Sequence, residues 1–74
     1  MPNSANFIPI DLRNRLEADA GRAKKAGDPK CAEILLQLAA YAGNNALHHA
    51  RDLGAEACTI RYASARELMQ LVAG

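Results

Sequence analysis

Four side chains in this sequence have the types that bind metals or attack electrophiles: Cys31, His48, His49 and Cys58. A structural zinc needs every donor within about 2.0–2.3 Å of one ion. His48 and His49 are adjacent, so on a helix they project about 100° apart, whereas the familiar helical ligand pair is spaced i, i+4. If residues 29–53 form one helix, Cys31 and His48 stand ~26 Å apart and no single ion reaches both. The same geometry argues against an internal disulfide, because even an extended return from Gly54 to Cys58 covers only ~14 Å. The cysteines are therefore expected as two small core thiols. A nucleophile needs a base within hydrogen-bond reach, and Cys31 has no nearby histidine. There is no phosphate-binding glycine loop and no motif that pairs carboxylates. No catalytic, metal-ligating or cofactor-binding residue is expected, and the chain is not expected to be an enzyme.

The elements that position these residues follow from periodicity. Leu12, Leu16, Ala20, Ala23 and Gly27 recur every three or four residues, which predicts a first helix over about 11–26. Asp11 is its expected cap, and Gly27 takes the left-handed position that ends it. In "GDPK", Asp28 caps the next helix and Pro29 fits its first turn, where no N–H is needed. So short a connection makes the two helices antiparallel neighbours. Ala32, Leu36, Ala39, Gly43, Ala46, Ala50 and Leu53 then follow at alternating steps of four and three. Lys30, Glu33, Gln37, Tyr41, Asn44, His48 and Asp52 run opposite them. Neither stripe changes phase at Gly43, which predicts one long helix over about 29–53, closed by Gly54. Cys58, Ile60 and Tyr62 alternate with polar residues, which suits an extended segment at 57–62. Ser64 and Glu67 form an S-x-x-E capping box that starts a last helix over about 64–73, with Leu68, Leu71 and Val72 on its apolar side.

The expected fold class is all-α: an antiparallel helical hairpin plus a short C-terminal helix, making a small three-helix bundle. Residues 1–10 form an extended arm, with Phe7, Ile8 and Ile10 packed against the helices or a neighbouring chain, and 11–74 form a single helical domain.

Seventy-four residues with 50% hydrophobic content make one small core, and a chain this short buries only ~60% of its unfolded surface. Phe7, Tyr41 and Tyr62 are the aromatics, and there is no Trp. Much of the apolar content is alanine, so tight packing or a partner is needed and a homodimer is expected. Net charge is +1, which gives no basic field for bulk nucleic-acid binding. No apolar run approaches a membrane span. The first ten residues lack a basic region followed by an apolar core, so no secretory leader is expected and the chain is placed in the cytoplasm.

Within residues 46–65, Ala50, Leu53, Gly54, Thr59 and Ile60 fall in an A..LG....T[VI] register. It resembles the helix-turn-helix of sigma-factor-like and response-regulator DNA-binding domains. The resemblance implies that Thr59, Arg61 and Arg66 face base edges or phosphates. It departs at His49 and Glu56, and the Ser64 capping box opens a helix inside the implied recognition helix. Small helix-turn-helix transcriptional regulator is therefore the alternative reading. The leading one is a non-enzymatic interaction protein, a small regulator or stoichiometric inhibitor. It would bind another protein through Tyr41, Asn44, Asn45, His48 and Arg51, where Tyr and Arg anchor and Asn and His adapt.

Overall fold

A computed structural model describes residues 8–40 and 45–73, with side chains described for 8–40 and 47–72. Among them the chain is all-α and contains no strand. Helix α1 spans Ile10–Lys25, α2 Pro29–Ala40, α3 Asn45–Leu53 and α4 Ala63–Ala73, and a 3-10 turn occupies Ala55–Cys58.

The α1–α2 hairpin is built as its sequence dictates. Gly27 has φ +79°, a conformation that L side chains rarely adopt. The Asp28 N–H reaches the Ala23 carbonyl at 2.9 Å and the Gly27 N–H reaches Lys24 at 3.3 Å. Together these make the Schellman closure that satisfies the last carbonyls of α1. Asp28 then caps α2, its Oδ1 accepting the Cys31 N–H at 3.3 Å. At the other end of α1 the expected cap is absent. The helix begins at Ile10 with Pro9 before it and no side-chain cap, while Asp11 pairs with Arg15 one turn on. Ile8 packs half-buried against the core, but Ile10 is left 69% exposed. The rest of the N-terminal arm lies outside the described residues.

Leu12, Leu16, Ala20 and Ala23 are buried as their spacing predicts. In α2 the buried face is Cys31, Ala32, Ile34, Leu35, Leu38 and Ala39. Leu36, expected in the core, is half exposed. The apolar half of α2 offers two overlapping stripes. Packing selects the one that buries Ile34, Leu35 and Leu38, because larger side chains remove more apolar area from water.

One helix over 29–53 does not form. Cys31 and Cys58 are joined in a disulfide, with Cα atoms 5.8 Å apart. A straight helix through residue 53 followed by an extended return leaves those atoms at least ~15 Å apart. So α2 and α3 are separate elements, and both pack on the 3-10 turn. Gly43, read as a close-packing residue inside a long helix, lies outside the described residues. Gly54 is the predicted stop: α3 ends at Leu53 and Gly54 has φ +83°. Among the described residues the expected three-helix bundle is therefore a four-helix one, and the cysteines are a covalent cross-link in the core, not two separate thiols.

The predicted extended segment at 57–62 is also replaced. Cys58 and Tyr62 are buried, but Ile60 between them is 84% exposed, which breaks the alternation of a half-buried strand. Ala55, Cys58, Tyr62, Ala65 and Leu68 are all buried instead, at steps of three or four, a helical period carried through the connector into α4.

Candidate functional site

The expected protein-binding face divides between described and undescribed residues. Tyr41 and Asn44 lie outside the described residues. Asn45 opens α3, but its side chain is not among those described. His48 and Arg51 are exposed on α3, as are His49 and Asp52. On the opposite side Ala50 is fully buried, with Leu47 and Leu53 half-buried against the core. Helix α3 therefore lies on the body along one narrow apolar edge and presents its polar side outward.

The residues implied by the helix-turn-helix resemblance occupy the connector and the first turn of α4. The connector runs from 54 to 62, longer than the 3–4-residue turn of that motif. The Thr59 hydroxyl donates to the Glu56 carbonyl at 2.7 Å. The Arg66 Nε donates to the Thr59 carbonyl at 3.2 Å. The Arg61 guanidinium lies 3.7 Å from the Asp28 carboxylate. Thr59 thus sits in the connector, and both arginines rest on groups of the chain's own surface.

Beside the disulfide, the first turn of α2 and the connector enclose a cleft of about 470 Å³. Ile34, Ala57 and Ile60 are its apolar lining, together with Cys31 and the charged Asp28, Lys30 and Arg61. This cleft was not legible as a site because it exists only when residues 30–34 and 57–61 are brought together. One signal was available: Ile60 falls off the buried three-and-four stripe of residues 55–68.

The Ser64–Glu67 capping box is not used as such, since Ser64 lies inside the first turn of α4. The cap comes from α1. Buried Asp19 accepts the Ser64 N–H at 3.2 Å and the Ser64 hydroxyl at 2.6 Å, both on Oδ2. This satisfies an α4 amide that has no partner within its own helix. Arg22 approaches the other oxygen of Asp19 at 3.4 Å. One turn earlier on α1, Arg15 grips Glu67 through its two terminal guanidinium nitrogens, Nη1 and Nη2, at 2.6 and 3.1 Å. The hydrogen bond from Arg15 holds the Glu67 carboxyl below its ordinary value of 4.5, and the same bond raises Arg15. These polar contacts set the register of α4 against α1 and leave no buried polar side-chain atom unsatisfied among the described residues.

No cluster of three or more His, Cys, Asp or Glu side chains able to hold a metal ion occurs among the described residues. The distance argument against a shared ion fails along with the continuous helix, but both sulfurs are committed to each other. No helix among the described residues is long and apolar enough to cross a membrane. No protein-family model matches the chain, and no curated protein or solved structure is significantly similar to it.

Proposed function

We propose that this chain is a small non-enzymatic interaction module, a regulator or stoichiometric inhibitor that binds a partner protein through the outward side of α3. The observation that supports this reading is the one-edged seating of α3. Ala50, Leu47 and Leu53 hold it to the body, while His48 and Arg51 are exposed on its outward side. An arginine next to adaptable polar side chains on a cross-linked scaffold is the composition favoured at protein interfaces. The test is affinity capture with the full chain and with a His48→Ala, Arg51→Ala variant. The wild type is expected to retain one partner in fixed stoichiometry. The variant is expected to lose it with unchanged helicity and melting temperature, since both side chains are exposed. Equal capture by both proteins overturns the reading. Tyr41→Ala tests the aromatic anchor expected from the sequence, and sedimentation of the free chain reports whether it is one copy or two.

A further inference from the structure

We infer that the cleft between α2 and the connector is a docking site for an acidic, apolar segment of a partner protein. This rests on the interaction reading above and adds a second surface with its own chemistry. The cleft volume, about 470 Å³, falls in the range of sites that take a side chain or a short segment. Its surface is mostly apolar, with Ile34, Ala57 and Ile60 among the lining residues. Ile60 is 84% exposed, yet the backbone on either side of it is held: the Thr59 N–H bonds to Glu56 and the Tyr62 N–H to Cys58. The adjoining Cys58 is cross-linked to the opposite wall at Cys31. The walls are therefore preorganised, which lowers the ordering cost of binding.

The rim charge selects the partner. Lys30, Arg61 and Asp28 are the charged residues that line the cleft. Asp28 is already engaged, with Oδ1 on the Cys31 N–H and Oδ2 beside Arg61. Lys30 makes no ion pair with a described residue, and Lys30 and Arg61 against Asp28 leave the lining with a net charge of +1. A carboxylate flanking an apolar side chain satisfies both features. A nucleic-acid backbone meets the cations but leaves the apolar wall uncovered, so the peptide is favoured.

The test uses the oxidised full chain labelled for NMR. The probe is a capped pentapeptide alternating glutamate and leucine, and the control replaces each glutamate by lysine. The acidic peptide is expected to give saturable shifts confined to Lys30, Cys31, Ile34, Ala57, Ile60 and Arg61. Ile60→Asp or Lys30→Glu is expected to weaken binding about tenfold, the loss of one apolar or charged contact, and added salt weakens it further. Both positions are exposed, so neither change threatens the fold. Absence of saturable shifts overturns the proposal, as does an equal response to the lysine peptide. A concentration-dependent dimer dispersed by Ile60→Asp overturns it too, since a second copy then fills the cleft. A natural partner lost by the α3 variant but indifferent to Ile60→Asp ends this proposal and leaves the interaction reading standing.

Discussion

Reducing the Cys31–Cys58 bond is expected to cost this chain about 3.5 kcal/mol of stability. The two residues are 27 apart in sequence, and the loop between them contains all of α3. Closing a loop of that length removes about 12 cal/mol/K of unfolded-state entropy, or about 3.5 kcal/mol at 25 °C. A chain of this size is stable by roughly 4–11 kcal/mol in all, so one bond carries a large share. The melting temperature should fall by roughly 15–25 °C. Reduction is the appropriate perturbation because it separates cross-linking from packing. Cys58 is fully buried and Cys31 nearly so, and two thiols fill that space about as well as a disulfide. Thermal and urea unfolding followed by far-ultraviolet circular dichroism, with and without a phosphine reductant, give the difference. Intact mass should show the oxidised chain lighter by two hydrogens and inert to maleimide. A melting temperature unmoved by reductant, or two reactive thiols in the natively purified chain, refutes the reasoning. The second result also removes the distance constraint that excludes a continuous helix over 29–53.

The remaining expectations concern the core and the α1–α4 contacts. Asp19→Ala should destabilise by about 2–4 kcal/mol in denaturant unfolding, because it strands the buried Ser64 hydroxyl and amide; an effect below about 0.5 kcal/mol denies Asp19 its capping role. Leu35→Ala should cost about 2–5 kcal/mol, whereas Leu36→Ala, on the exposed side, should cost under about 1 kcal/mol; equal losses restore the stripe through Leu36. Glu67 should titrate below 4.5 by side-chain carbon NMR, since Arg15 favours its charged form. Its contribution is present above the unfolded-state pKa and is lost as pH falls through the lower folded value, so the α1–α4 contact weakens only in acid. Arg15→Ala should bring that titration back toward 4.5, and an unmoved midpoint argues against the pair.

Periodicity was sufficient where one apolar stripe dominated. Leu12, Leu16, Ala20 and Ala23 have no competitor in α1, and the capping chemistry of Gly27, Asp28 and Pro29 is local to four residues. It was insufficient in α2, where almost every position from 34 to 40 is apolar and a three-residue repeat is compatible with two registers. It misled over 29–53, because a phase-preserving stripe shows only that successive helical segments can share a face, not that they form one rod. Of the candidate site, the exposure of His48 followed from the polar stripe. The cleft did not, since its walls come from residues some 27 positions apart.

By itself the sequence determined the all-α class, the α1–α2 hairpin and the stop at Gly54, because each depends on backbone groups and side chains within one or two helical turns. Only the tertiary structure decided the rest: the Cys31–Cys58 cross-link, the borrowing of Asp19 as a cap for α4, and the placement of Ile60 opposite Ile34. Those depend on which distant surfaces bury the most apolar area while satisfying their polar atoms, a competition that no local spacing records.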